Sequence, residues 1–239
     1  MKFVDWFPYY QGIRSEFGYS TEKDQEAART LSGMIKRKAL DGKVLEKKLK
    51  GKNIFVVGAG PSLDDNIKLL KKNSSFVKVV ADGAVHALLE NKIKPDIVVT
   101  DLDGNPAALQ KAASKGATMV VHAHGDNTAM LKKLVPKFKK VLGTTQVMPL
   151  ENVYNFGGFT DGDRCVFLAE EFGAKKIVLV GMDFGASIGK YSKEEVKDPE
   201  LKKRKMQAGK RLLEMLAKQS RSQLLDTNKK PVKGFAAYY

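Results

Sequence analysis

The feature that most constrains this chain is a rhythm that begins at residue 53. Short runs rich in valine and isoleucine alternate with stretches of helical spacing. The runs are NIFVVG (53–58), FVKVVA (76–81), DIVVTD (96–101), TMVVHA (118–123), KKVLGT (139–144) and KIVLVG (176–181). Helix-like segments fall between them, near 64–72, 83–92, 105–116, 127–135 and 161–173. A strand that is apolar on both sides needs cover on both faces, and parallel neighbours need a crossover that is usually a helix. The pattern predicts an α/β fold: a doubly wound, mostly parallel Rossmann-like sheet.

The two ends read differently. Residues 1–50 predict an N-terminal helical lobe, and 51–239 an α/β domain with a C-terminal helix and tail. Thr21 followed by Asp24 resembles a capping box, and Ala27, Ala28, Leu31, Met34 and Ile35 recur at helical spacing. The aromatics Trp6, Phe7, Tyr9, Tyr10, Phe17 and Tyr19 are expected to pack this lobe onto the body or to line a pocket. Asp198 and Pro199 open a basic helix, whose lysines and arginines read as solvated. The segment 186–200 before it has the length of a lid, with Lys190 and Lys193 able to close over phosphates.

A net charge of +15 favours polyanionic partners, nucleotide phosphates among them. No zinc-finger or RNA-recognition pattern accompanies it, which argues against a dedicated nucleic-acid module. No apolar run reaches the length of a membrane span, and MKFVDWFPYY lacks the order of a signal peptide. Cys165 is the single cysteine, so no intrachain disulfide forms, and a reducing cytoplasm is the expected location. A homo-oligomer is compatible with these numbers.

In an open parallel sheet the ligand binds outside the carboxyl ends of the strands. Those ends read GAGPS (58–62), ADG (81–83), TDLDG (100–104), HAHGDN (122–127), TTQ (144–146) and GMDFG (181–185). In DLDG, two carboxylates one residue apart repel each other, which calls for a cation between them; a hard divalent ion such as Mg²⁺ suits oxygen ligands. The competing reading is a turn at Asp103 and Gly104, with Asp101 capping the next helix. GAGPSL fits part of a dinucleotide fingerprint through Gly58 and Gly60, but Leu63 stands where a third glycine belongs. Such a loop brings backbone N–H groups to a phosphate at a helix start. His122 and His124 alternate on a strand end and share a face. Asp126 can cap the following helix or aid the metal. In GFTDGDRC, Thr160 or Asp161 can cap a helix, and the loop can hold substrate with Arg164 near phosphate. Asp183 ends the last strong strand and is expected to complete the acidic cluster.

The ordered series GAGPSL, ADGA, PDIVVTDLDG, HAHGDN, GFTDGDR and GMDFG resembles the archaeal-type 6-hydroxymethyl-7,8-dihydropterin pyrophosphokinases. It is more distantly similar to the catalytic domain of thiamine pyrophosphokinases. The resemblance covers residues 53–185 best. It implies Mg²⁺-dependent transfer of a pyrophosphoryl group from ATP to the hydroxymethyl oxygen of a reduced pterin. It implies that Asp101 and Asp103 form the metal pair; beside them, Asp126 or Asp183 is expected to reach a second ion or a metal-bound water, and Asp183 is counted with the metal residues. Gly58, Gly60, Pro61 and Ser62 then match the nucleotide loop and Asp82 the second-strand turn; Gly83, Asn127 and Lys190 join them as nucleotide contacts. Asp126, Asp161 or His124 are the expected bases. Asn155, Phe156, Asp161, Asp163 and Arg164 are the expected substrate contacts, with Phe159 as an alternative ring. Two rivals stand beside this reading: a thiamine-accepting enzyme of the same mechanism, and a basic RNA-binding protein with an inactive Rossmann-like core.

Overall fold

The computed structural model describes residues 2–185, 189, 191 and 198–238. Three helices come first: α1 (Phe3–Phe17), α2 (Thr21–Ile35) and α3 (Lys43–Leu49). The alternating region follows as β1 (Asn53–Val57), α4 (Ile67–Lys72), β2 (Val77–Ala81), α5 (Ala84–Glu90), β3 (Ile97–Thr100) and α6 (Pro106–Ser114). It continues as β4 (Thr118–Ala123), α7 (Thr128–Leu134), β5 (Val141–Thr145), β6 (Val153–Tyr154), α8 (Asp161–Glu171) and β7 (Lys176–Val180). The C-terminal part is α9 (Pro199–Ala217), β8 (Gln223–Asp226) and β9 (Ala236–Ala237).

The strands form one sheet in the order β6-β5-β4-β3-β2-β1-β7-β8-β9, and each neighbouring pair is parallel. The chain steps outward from β1 to β6. Helix α8 then returns across β3, β2 and β1, and β7 pairs on the other side of β1. This reversal is the topological switch point of a doubly wound sheet, where ligands settle. Both faces are covered, and so Ile54, Phe55, Val56 and Val57 of β1 are all fully buried rather than alternating.

All six expected strands are present. The sequence reading missed β6, β8 and β9, which are short or lack a β-branched run. The expected helix at 64–72 starts as a 3₁₀ turn over Pro61–Asn66 before α4 begins. Asp64, Asp65 and Asn66 are poor α-formers that favour local side-chain bonds, and Asn66 Nδ2 donates to the Ser62 carbonyl at 2.8 Å.

The N-terminal helices lie against the sheet. Helix α2 packs over β4, β5 and β6. Trp6 and Tyr10 of α1 are fully buried, and the Trp6 indole N–H donates to the Gln146 carbonyl at 2.9 Å. The capping box expected at Thr21 and Asp24 is replaced. Ser20 is the cap and accepts from the Lys23 N–H, while Asp24 turns inward and is buried. Asp198 does cap α9, accepting from the Leu201 N–H at 2.9 Å. Among the described residues, no helix is long and apolar enough to cross a membrane.

Candidate active site

A cavity of about 710 Å³ opens at the carboxyl ends of the strands. Strand order fixes the order of its wall. Gly181, Met182 and Asp183 follow β7; Gly58, Ala59 and Gly60 follow β1; Asp82 follows β2; Asp101 and Asp103 follow β3. His122 and His124 belong to the end of β4, and Gln146 follows β5. Helix α8 contributes Asp161 and Arg164 from its first turn, and α9 overhangs the opening with Leu201, Lys202, Lys205 and Met206.

Asp82, Asp101 and Asp103 sit together in the middle of this wall. One oxygen from each lies within 4.8 Å of the others. The local backbone explains the convergence. Leu102 takes a left-handed conformation (φ +70°) and buries its side chain completely. That conformation is costly for a side-chain-bearing residue, and it folds Asp101 and Asp103 into a tight turn. The Leu102 N–H donates to Thr100 Oγ1 at 2.8 Å, and the Asp103 N–H to Asp101 Oδ1 at 3.2 Å. The alternative reading of Asp101 as a helix cap does not hold, because Asn105 caps α6 by accepting from the Ala108 N–H.

Asp82 is 3% exposed. Its Oδ2 accepts from the Thr100 hydroxyl and from the Gly104 N–H, the latter at 3.1 Å. Its Oδ1 is buried without any partner. Burial pushes this carboxyl up to about 7, the Thr100 and Gly104 bonds pull it back, and the charges of Asp101 and Asp103 push it further up. A buried carboxyl with one orphaned oxygen, clustered with two more carboxylates, fits a hard divalent cation, which takes oxygen ligands and cancels the repulsion. Gly104 is required here, since any side-chain carbon at that position would overlap Asp82.

Asp183, expected in the metal set, is placed elsewhere. Its Oδ2 accepts from the Ser62 N–H at 3.0 Å and the Ser62 hydroxyl at 2.8 Å. It ties the loop after β1 to the loop after β7. The Gly60 N–H likewise donates to the Gly181 carbonyl at 2.8 Å. A Cβ at Gly58 would sit 2.6 Å from that carbonyl, so this glycine answers to the contact between the two loops. Gly58 and Gly60 line the cavity, whereas Pro61 and Ser62 do not. A 3₁₀ turn whose Ser62 N–H is already bonded replaces the expected helix start.

His124 Nδ1 is 3.4 Å from the Asp126 N–H, which leaves Nε2 to face Asp101 Oδ2 at 3.5 Å. Asp126 itself lies outside the cavity wall. Asn127 does too: its Nδ2 donates to the carbonyls of Asp101 and His122, stitching the ends of β3 and β4 together. His122 is buried, with Nδ1 3.2 Å from Thr144 Oγ1 and Nε2 unpartnered. Burial first, then the charges of Arg164 and His124, hold its imidazole neutral, well below the usual histidine range.

Helix α8 begins with a capping box made by Thr160 and Asp163. Asp163 is fully buried and accepts from the Phe159 and Thr160 N–H groups, so it builds the loop rather than the cavity wall. Asp161 does line the cavity. Withdrawal from water pushes its carboxyl well above the usual range, and repulsion from Asp101, Asp82 and Asp103 adds to this. Arg164 lines it as well, with one guanidinium N–H on the Phe159 carbonyl at 2.8 Å and its Nε unpartnered.

Two expected substrate contacts fall away from the cavity. Asn155 braces its own loop through the Val147 carbonyl and the Gly157 N–H. Phe156 stacks on Tyr154 and packs edge-on to Phe172. The ring at the cavity is Phe159, in contact with Phe17 and Tyr19. Asp82, Gly83, Asp101, Asp103, His124, Asp161, Arg164 and Asp183 are brought to the wall as expected. Lys190 and Lys193 lie outside the described residues. Lys202 and Lys205, read as solvated, line the cavity instead, and Lys205 Nζ lies 5.5 Å from the Tyr19 ring centre. The sequence reading gave no role to Gln146, though the TTQ strand end marked its position.

Residues 29–189 match the family described as 6-hydroxymethylpterin diphosphokinase MptE-like. The 6-hydroxymethyl-7,8-dihydropterin pyrophosphokinase of Pyrococcus furiosus is 46% identical over 235 residues, 95% of this chain and 99% of that protein. The protein of the same name from Methanocaldococcus jannaschii is 43% identical over 231 residues, 90% of this chain and 96% of that one. The Methanothermobacter thermautotrophicus protein, also of that name, is 40% identical over 218 residues, 88% and 93% of the two chains. Among solved structures, the MAf glycosyltransferase of Magnetospirillum magneticum AMB-1 shares the fold with a TM-score of 0.55 at 18% identity, over 90% of this chain and 38% of that one. The extent of these matches shows that the chain belongs to the MptE-like family of 6-hydroxymethylpterin diphosphokinases.

Proposed function

We propose that this protein transfers the terminal diphosphate of ATP to the hydroxymethyl oxygen of 6-hydroxymethyl-7,8-dihydropterin, releasing AMP. The observation that carries the reading is the carboxylate trio of Asp82, Asp101 and Asp103, with its orphaned Asp82 Oδ1, at mid-wall in a cavity large enough for two substrates. The three relatives bear the name of this activity. Asp82, Asp101 and Asp103 are the residues that would hold a divalent cation, Mg²⁺ in our reading. Such an ion, when bound, neutralises charge on the phosphate oxygens.

The wall divides the work. The β1 and β7 loops, with Gly58, Gly60 and Asp183, form the nucleotide end. The β4 and β5 ends, with His122, Gln146, Phe159 and Tyr19, form the pterin end. The acidic trio lies between, where the β-phosphorus must sit. In the transfer, a bond forms between the pterin hydroxymethyl oxygen and the β-phosphorus. The bond from that phosphorus to the bridging oxygen breaks, and its electrons leave on AMP. The hydroxyl proton needs an acceptor, and Asp161 is the carboxylate on the pterin side of the trio. His124 orients Asp101 through Nε2. Lys202 and Lys205 on α9 add positive charge over the opening, which suits a polyphosphate.

The test is AMP release from ATP and Mg²⁺, with the pterin in one tube and thiamine in a parallel one. AMP that requires both pterin and metal is the expected outcome. AMP with thiamine alone would transfer the mechanism to another acceptor, and no AMP in either tube would refute the enzyme reading.

A further inference from the structure

Asp24 lies in the first turn of α2, far from the acidic trio in sequence. It is 3% exposed, and three donors converge on it. Oδ2 accepts from the Tyr10 hydroxyl at 2.8 Å and from Gln146 Nε2 at 2.7 Å; Oδ1 accepts from the Gly125 N–H at 2.7 Å. Gln146 is itself buried, and its backbone carbonyl is held by the Trp6 indole N–H at 2.9 Å. The amide therefore has one orientation. A carboxylate accepts and does not donate, so only the Nε2 end of Gln146 can face Asp24. The Oε1 end is left to the cavity that Gln146 lines.

We infer that Gln146 Oε1 is the acceptor that reads the N–H donors of the pterin ring, and that Asp24 is the positioning residue that keeps it turned that way. The inference rests on the proposed pterin substrate and deepens it. A reduced pterin presents a ring N–H and an adjacent exocyclic amine on one edge, which calls for acceptors in the protein. Gln146 supplies one at the β5 end of the wall. His122 adds an unpartnered Nε2 at the same end, and Phe159 and Tyr19 supply flat apolar surface. Asp24 also holds Gly125, next to His124, so the same carboxylate fixes the loop that faces Asp101. Helices α1 and α2 thus meet the site at one buried carboxylate.

The experiment exchanges the two ends of the Asp24–Gln146 bond. In Asp24→Asn, the new amide can donate to Gln146, which turns its own amide over and presents N–H groups to the pterin. The Kd for 6-hydroxymethyl-7,8-dihydropterin, measured by calorimetry, is expected to rise about tenfold or more. The KM for ATP is expected to stay within about twofold. Gln146→Glu alone sets two carboxylates against each other and also weakens pterin binding. In the double variant Asp24→Asn with Gln146→Glu, the asparagine donates to the glutamate, and an acceptor faces the cavity again. Pterin Kd is expected to recover to within about threefold of wild type. A purely structural role for Asp24 predicts no such recovery.

An unchanged pterin Kd in Asp24→Asn, or a double variant no better than the weaker single one, would overturn the inference. If Asp24→Asn does not fold, Gln146→Met removes the acceptor while keeping the side chain's length, and unchanged pterin binding by that variant would overturn it equally. A wild type that releases pterin-dependent AMP while the variants bind as it does refutes the inference alone. A wild type that neither binds the pterin nor releases AMP refutes the proposed function as well.

Discussion

Replacing Asp82 by asparagine should make the metal-free protein more stable and should blunt its stabilisation by magnesium. The magnitude follows from burial. A carboxyl displaced from 3.8 to about 7 costs the fold roughly 4 kcal/mol once ionised, at about 1.36 kcal/mol per pH unit. The sign is set by which state holds the proton. The unfolded chain releases it near 3.8 and the folded chain only near 7, so folding takes up a proton in between. Stability therefore falls as pH rises through that window, and the full penalty applies above it. At pH 5 the folded carboxyl is still protonated, and most of the penalty is yet to come. Between pH 5 and pH 8, Asp82→Asn should gain roughly 2–3 kcal/mol relative to wild type. In a chain of this size that is on the order of 5–10 °C in Tm. The substitution costs little in packing, because asparagine has nearly the volume and shape of aspartate.

The assay is thermal or urea unfolding of both proteins in EDTA at the two pH values, then at pH 8 with excess MgCl₂. Magnesium at about 100 times its Kd adds about 2.7 kcal/mol to wild type, and the variant should respond far less. The deficit of wild type at pH 8, roughly 4 kcal/mol in EDTA, then narrows to roughly 1–2 kcal/mol in magnesium. A variant less stable than wild type in EDTA at pH 8 would refute the argument from an unpaired buried charge. Equal responses to magnesium in both proteins would remove Asp82 from the ligand set.

Two further outcomes follow from buried polar groups away from the trio. Cys165 is fully buried, and burial pushes its thiol well above the usual range; a thiol reagent should leave the native protein untouched and titrate one sulfhydryl in denaturant, and rapid labelling of the native state would contradict the packing. Trp6→Phe removes the indole N–H that satisfies the Gln146 carbonyl, which should cost about 1–3 kcal/mol and lower Tm by several degrees in a melting experiment.

The sheet was legible because burial on both faces leaves an unbroken apolar run, and six such runs were long enough to see. Strands β6, β8 and β9 were not, because strands of two to four residues carry no period. The acidic wall was legible for a different reason: a carboxylate at a strand end has few structural uses, so Asp101 and Asp103 announced themselves. The surroundings of Asp82 were not legible, because nothing in ADGA tells that the strand beside it brings Thr100 and Gly104 onto one oxygen and leaves the other bare. The tie of Asp183 to Ser62 was hidden as well, since the two stand 121 residues apart in the chain. Asp24 is the sharpest instance. Local spacing assigns it to a helix cap, and Ser20 takes that work, which frees a charged side chain to go inward. A buried carboxylate must find donors, and those it finds come from α1, from the loop after β4 and from the residue after β5. Local sequence patterns show what each segment can do alone. The site depends on where a side chain goes when its local role is already filled, and that is decided only when the sheet has brought the strand ends together.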